Sequence, residues 1–491
     1  MTRKPLYLLL TLLLLASFVI GACSAPAAAP TTAPAAAPDA APADTATEAP
    51  AAAADAAPVA GKSIMFWSTE TQPERVARTR EILDAFTAKT GINVEIVPVD
   101  EGQLPQLLTA SAAANTLPDV MFFPLDYAIG WADQGILDYE IAKEVIDSLD
   151  PSTFGAGSLD MVAYKDGYAA VPTDGWGQLL IYRTDLFEKA GLDKPDSYDK
   201  IMAAAEALND PANNMFGITA ANDVAVFTQQ TFEHIALANN CQLVDDSGAV
   251  TLNSPECQAA IKFYTDLENN YSPAGQQDVA STRATYFAGQ AGMIIWSPFI
   301  LDEMCGLRDN AFPTCPECAD DPAYLAKNSG FAPTFVGPDN TEPAQYGQFS
   351  NMGITATADK EAARAFLDFW FNEGYLDWLS VSPEGKLPMR AGTPEEPTKF
   401  IDGWKLLETG VDRKAPLGEC YGDEVINTII EGVAGMDRWG FKQGQGALVQ
   451  AVYQALPVPR ILNDVLNGSS TVEQGAEEMQ TEVEALQSSL E

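Results

Sequence analysis

An α/β fold is predicted by two features of the chain. Short apolar runs of strand length alternate with helix-period segments from Ser63 to Phe123, in the order strand, helix, strand, helix, strand. The 491 residues are 47% hydrophobic and 20% charged, which supplies a sizeable core. At roughly 100–200 residues per domain, that length suggests two or three domains.

Ser63-Ile64-Met65-Phe66-Trp67 reads as a short buried strand. Glu74 to Lys89 follows, with Val76, Ile82, Leu83 and Phe86 at helical spacing, and Gly91 supplies the stop. Ile92 to Val99 alternates as a second strand. Gln103 to Ala114 is helical, and Pro118 to Phe123 is a third strand. Ligands of such sheets bind outside the carboxyl ends of the strands. That picks out Ser68 to Glu70 and Pro124 to Tyr127.

Charge narrows the function. There are 28 Lys+Arg against 68 Asp+Glu, a formal net charge of −40. Phosphate binding relies on clustered Lys and Arg, so a nucleic-acid partner is not expected. Docking on an anionic membrane through a basic face is excluded in the same way. With a single His, a multi-His metal centre is impossible.

The first 60 residues read as addressing. Arg3 and Lys4 precede a 15-residue apolar stretch, Leu6 to Ile20, too short to span a bilayer and suited to a signal peptide over 1–22. Ile20-Gly21-Ala22-Cys23 resembles a bacterial lipobox, which implies cleavage before Cys23 and lipidation of its thiol. The alternative is an ordinary secretory signal. Ser24 to Ala60 has 20 Ala and 7 Pro in 37 residues and no aromatic residue. Such a stretch cannot offset its ordering entropy by burial, so 23–60 is expected to be a disordered tether.

The body shows a familiar order of segments. Phe66-Trp67-Ser68, then Phe86 to Val94, then Leu117-Pro118-Asp119-Val120 resemble the first lobe of extracellular solute-binding proteins of ABC importers. The match is to their sugar-binding, maltose-binding-protein-like group. Tyr168 to Pro172 with Leu180 to Leu192, then Tyr286 to Met293, Ala358 to Phe371, and Gly385 to Arg390 continue the resemblance. Two departures stand out: the Cys-rich insert around 305–318, and a long segment from Lys399 to Gly446. The resemblance implies a two-lobe, type II periplasmic-binding-protein-like fold with a hinge and an interlobe ligand cleft. It places the first lobe at 61–172 plus 330–372 and the second at 173–329 plus 373–491.

Sugar recognition then guides the choice of site residues. Aromatic rings stack on apolar pyranose faces, while carboxylates and amides meet the hydroxyl rim. At the first lobe's strand ends the candidates are Trp67, Glu70, Asp126 and Tyr127, with Asp126 matching an acidic sugar-contacting position of the family. Core packing is the competing reading for Trp67. Asp174 and Trp176 lie just past the first crossing, between Gly175 and Gly177 in the case of Trp176, which is the strongest stacking candidate. Phe299 falls at the family's aromatic platform, with Trp296 as its alternative. Phe227, Gln229 and Gln230 fall where the second lobe often contributes, against a core-helix reading. Trp439 is a candidate only as a Trp beside Gly in a polar loop.

Other motifs have plainer readings. His234, on a helix with no Cys or second His nearby, is expected to be structural. Asp245 to Gly248 is a turn. Besides Cys23 there are six Cys, an even number in an exported chain, which suggests disulfides. Cys241 and Cys257 can close a local loop, and Cys305, Cys315, Cys318 and Cys420 supply two more bonds. A four-thiolate zinc site from the last four is the alternative.

The expectation is a lipid-anchored, extracytoplasmic, monomeric binding protein that hands a mono- or oligosaccharide to an ABC permease, without cofactor or covalent chemistry. A binder for an amino acid, polyamine or betaine is the second reading. A secreted glycoside hydrolase is the third.

Overall fold

A computed structural model of the chain describes residues 61–490. The signal segment, Cys23 and the 23–60 tether lie outside the described residues.

The predicted alternation is present. Strands β1 (Ser63–Ser68), β2 (Asn93–Pro98) and β3 (Val120–Pro124) are parallel, with β1 between the other two. Helices α1 (Pro73–Thr90) and α2 (Leu104–Ala114) connect them. α1 starts on Pro73, whose fixed φ suits a first helical turn. It buries Val76, Ile82, Leu83 and Phe86 and stops at Gly91, which takes φ 75° and donates its N–H to the Thr87 carbonyl. The sheet continues past β3 through the antiparallel strands Gln345–Ile354, Val171–Gly177 and Leu387–Pro388. The helix Lys360–Asn372 covers one face and buries Ala363, Phe366, Leu367 and Trp370. Phe366 meets Phe66 and Phe86 edge-on at 5.5 and 5.2 Å, so strand, first helix and return helix share one core.

A second, three-stranded antiparallel sheet has Leu179–Arg183 between Met293–Trp296 and Ser329–Ala332. The first crossing between sheets is a single residue, Gln178. This corrects the expected boundary at 172/173, which cuts a strand that pairs in the large sheet through Gly177. The second crossing is 333–344, because Ser329–Ala332 still pairs in the small sheet. Residues 373–391 also stay with the first lobe. The helix Tyr375–Leu379 buries Trp378 against Phe122 and Trp370, and Leu387–Pro388 pairs with Val171–Gly177.

The long segment after Lys399 forms a helix (Lys399–Trp404), a hairpin (Glu408–Thr409 with Ala415–Pro416), a helix (Leu417–Ala434) and a two-residue strand, Met436–Asp437. That last strand runs parallel to Gln345–Tyr346 and brings the following loop between the lobes. The cysteines pair as Cys241–Cys257, Cys305–Cys420 and Cys315–Cys318. The local loop is as expected, and the other four thiols form two bonds rather than one four-thiolate site. Among the described residues, no helix is long and apolar enough to cross a membrane.

Candidate functional site

The geometry starts from the register of the parallel strands. Ser68 at the end of β1 lies opposite Pro98 of β2 and Phe122 of β3, so three carboxyl ends are side by side. An acidic residue follows each within a few residues: Glu70, then Asp100 and Glu101, then Asp126.

Their environments differ. Glu70 is buried and holds two cations, Lys386 at 2.7 Å and Arg75 at 3.0 Å. Burial alone would raise its carboxyl, but Lys386 and Arg75 outweigh it and hold it at about 2. Lys386 also reaches Asp174 at 3.2 Å and lies 4.1 Å from the centroid of the Trp378 ring. The Trp378 indole donates to the other Asp174 oxygen. Glu70 and Asp174 are therefore committed to an internal ion cluster. The two carboxylates expected at the hydroxyl rim thus already have charged or donor partners inside the fold.

Asp126 is 9% exposed. It accepts from Gln348 on one oxygen and from Arg438 at 2.8 Å on the other. Arg438 is wholly buried and also donates to Gln348 and, at 3.0 Å, to Glu233 of the second lobe. Tyr453 donates its hydroxyl to the other Glu233 oxygen at 2.6 Å. One guanidinium fork thus joins carboxylates from both lobes.

Glu101 is exposed, yet protein atoms around it strip hydration from its carboxylate. Burial, then the charges of Asp126, Glu70 and Asp100, push it up to about 7. Tyr127 stacks on Trp131 at 4.8 Å and is pushed up to about 12, by burial and then by Asp126 and Glu101.

The aromatic wall comes from the crossings. Trp176 is the cross-strand partner of Gln348, so the two side chains share one face of the sheet. Its half-buried ring meets Phe299 edge-on, 6.4 Å between centroids, and Tyr346 at 5.8 Å. Phe299 follows the strand Met293–Trp296 and sits against Gly385 of the first lobe. A Cβ at Gly385 would collide with the Phe299 ring, so only glycine permits this approach. Phe227 is half-buried at the start of the helix Val226–Ala238, beside the exposed Val224 and Val226.

Three predicted aromatics do not reach this wall. Trp67 packs in the core and its indole donates to the Met65 sulfur. Trp296 is buried under Phe227, 4.6 Å between centroids. Trp439 is 1% exposed, with its indole given to the Cys241 carbonyl and its backbone N–H to Glu233. Each ring lies with its apolar body packed, and the indole N–H groups of Trp67 and Trp439 have partners, the usual state of a core Trp. His234 is structural as expected: it accepts from the Tyr346 N–H, and burial lowers it to about 3. Sequence reasoning missed Glu101, Gln348, Tyr346 and Arg438. The position of Glu101, just beyond β2, was a usable signal, because the strand-end rule that picked Glu70 and Asp126 applies there equally.

Where the two lobes meet, the rings of Trp176 and Phe299 thus lie beside the Asp126–Gln348 acid–amide pair, an arrangement suited to a solute with apolar faces and polar edges. A family model described as bacterial extracellular solute-binding protein matches residues 69–376. The chain belongs to this family. The solute-binding protein is 28% identical over 414 residues to YcjN of Escherichia coli (strain K12), named as a periplasmic-binding protein of an ABC transporter. That match covers 83% of this chain and 91% of YcjN. Maltose-bound MalE3 of T. maritima shares the fold with a TM-score of 0.64 at 20% identity, over 87% of this chain and 100% of that one. So does an ABC transporter solute-binding protein of Agrobacterium radiobacter K84 in complex with ribitol, at a TM-score of 0.61 and 18% identity, over 87% and 100%. The family and these relatives are transport binding proteins rather than enzymes.

Proposed function

We propose that this solute-binding protein captures a carbohydrate between its lobes and delivers it, unchanged, to an ABC permease. The observation that carries the reading is the half-buried pair Trp176 and Phe299, set beside the Asp126–Gln348 acid–amide pair. Rings suit the C–H faces of a sugar, and the acid and amide suit its hydroxyls. The printed ligands of the structural relatives, maltose and ribitol among them, are polyhydroxylated and support the same class. Cys23 holds the protein at the outer face of the cell membrane through its lipid, and the Ala/Pro-rich tether lets a monomeric binding unit reach its permease.

Calorimetric titration of the full-length chain in detergent with a panel of mono- and oligosaccharides, amino acids and betaines tests the reading. Saturable heat with a sugar that is recovered intact supports it. Saturable heat with a non-sugar alone, or turnover of the sugar, sinks it. Labelling with radioactive palmitate, lost in Cys23→Ser, tests the anchor.

A further inference from the structure

A cavity of about 540 Å³ opens on the second lobe, and neither Trp176 nor Phe299 lines it. Its walls come from the end of the helix Pro255–Tyr271, the loop after it, the residues before the helix Val226–Ala238, and the end of the helix Pro457–Leu466. The first lobe contributes no lining residue, so the shape of the cavity does not depend on how the lobes meet. Asn222 builds it. Its backbone N–H donates to the Gln277 carbonyl at 2.9 Å, and its side-chain oxygen accepts from the Gln277 N–H at 2.6 Å. Its carbonyl accepts from the Asn463 amide at 2.9 Å, and its own amide donates to Glu268 at 2.9 Å. One buried residue thus pins three segments around the cavity, which makes the site preformed.

Glu268 points to an occupant. It lines the cavity, is 6% exposed, and among the described residues has no cation within ion-pair distance. One carboxyl oxygen takes the Asn222 amide, and the other, Oε1, has no hydrogen-bond partner. The Ser272 hydroxyl, beside this carboxyl and on the same cavity wall, is also unpartnered. Buried polar groups are nearly always paired, so two adjacent open ones at a cavity wall suit a ligand that bonds both. Burial pushes the Glu268 carboxyl up to about 8, so at neutral pH it keeps its proton and can donate as well as accept.

The rest of the lining decides the chemistry. Asn463 and Asn467 add amides, Val224 and Leu466 add apolar surface, and neither Lys nor Arg is among the lining residues. An anion finds no cation there, and a cation must first displace the Glu268 proton. Adjacent hydroxyls, each both donor and acceptor, match a protonated carboxyl, a serine and amides, and C–H faces match Val224 and Leu466.

We propose that this cavity is a second binding site, for a neutral polyhydroxylated solute such as a sugar or sugar alcohol, held by Glu268, Ser272 and Asn463 and filled independently of the interlobe cleft. The inference goes beyond the cleft reading. Its lining comes from one lobe, so occupancy neither requires nor drives closure, and the protein can carry one solute in the cleft and another here.

The test follows the Val224 and Leu466 methyl signals by NMR in the methyl-labelled full-length chain in detergent. Glucose, maltose and mannitol are titrated at neutral pH, with glucuronate and spermidine as charged comparators. The expected result is a saturable shift of both signals with a neutral compound, at a millimolar or tighter dissociation constant. Trp176→Ala, which weakens the cleft, should leave that constant within about 2-fold. Glu268→Leu should weaken it by about 10-fold or more, and Glu268→Gln, which keeps a neutral hydrogen-bonding group, by no more than about 3-fold. Ser272→Ala serves if Glu268→Leu does not fold, with an expected loss of about 3-fold. Shifts that vanish with Trp176→Ala come from the cleft and overturn the second site, as does full affinity in the folded Glu268→Leu and Ser272→Ala variants. Shifts with glucuronate or spermidine alone overturn the neutral class. Sugar binding at the cleft with both methyl signals unmoved overturns the second site and leaves the cleft reading intact, whereas no sugar binding anywhere overturns both.

Discussion

Lys386 shows most directly how a single side chain shapes the site. Among the described residues it is the only cation within ion-pair distance of Asp174, and it shares Glu70 with Arg75. Lys386→Met removes that charge and leaves a fully buried Asp174 with the Trp378 indole alone. Breaking a buried pair from one side costs about 3–5 kcal/mol. Urea denaturation should show a loss in that range, and a loss under 1 kcal/mol would mean that the cluster does not stabilise the fold. The same cluster predicts acid sensitivity. Glu70 sits at about 2 in the folded state against 4.5 when free, a depressed value. Its contribution, about 3 kcal/mol, is therefore complete above pH 4.5 and lost as pH falls toward 2. His234 acts in the same direction from higher pH: held near 3 against 6.5, it favours the folded state fully above 6.5 and progressively less below. His234→Asn keeps an acceptor for the Tyr346 N–H and should flatten the decline of melting temperature between pH 6.5 and 5 relative to the parent. An unchanged slope would remove His234 from the account. Trp176→Ala should weaken sugar binding at least 10-fold in calorimetry while leaving the fold intact, since its ring is only half-buried.

At the scale of elements, the close approach of Phe299 to Gly385 decides whether the aromatic wall assembles. A methyl at Gly385→Ala meets the Phe299 ring at far less than van der Waals distance, so the ring must leave its place. The variant should lose sugar affinity by about 10-fold or more, and near-parental affinity would show that Phe299 is not part of the wall. Elements also mark what the sequence could and could not tell. β1, α1, β2, α2 and β3 follow one another within about sixty residues, and each announces itself by local periodicity. The resemblance supplied two lobes, but their boundaries slipped by several residues at the first crossing. There, Val171–Gly177 runs on as a strand of the large sheet past the Pro172-Thr173 break that looked like its end. Arg438 gave no local signal at all. Its partners Glu233 and Asp126 are 205 and 312 residues away, and a lone Arg in a Gly-rich loop looks like any solvated cation. Trp67 and Trp296, at strand ends, and Trp439, beside a Gly in a polar loop, misled for the converse reason: such a Trp satisfies both a core and a stacking reading until its burial is known.

The molecule as a whole is tied across its crossings, and those ties make a prediction about order of stability. Cys305–Cys420 spans 115 residues and joins the region beyond the second-lobe strand to the helix Leu417–Ala434, whereas Cys241–Cys257 spans 16. If a disulfide acts chiefly by restricting the unfolded chain, loops of these lengths contribute about 4.7 and about 3 kcal/mol. Cys305→Ser with Cys420→Ser should therefore lower the denaturation midpoint more than Cys241→Ser with Cys257→Ser. The reverse order would assign the dominant effect to the folded state at the smaller loop. Near the same tie, Arg308 of the second lobe lies 3.2 Å from Glu384 of the first and also holds Asp302 of its own lobe. Separating the lobes would break the Glu384 contact, keep the Asp302 one, and also break the Asp126–Arg438–Glu233 bridge. A solute that binds only the closed arrangement shifts the population by its differential affinity and no more. At 100 times its dissociation constant it should stabilise the fold by about 2.7 kcal/mol, read as a rise in melting temperature, while small-angle scattering shows a smaller radius of gyration. A rise in melting temperature without compaction would mean that the lobes are already closed when empty, and that Arg308 and Arg438 act as fixed struts rather than as contacts made on closure.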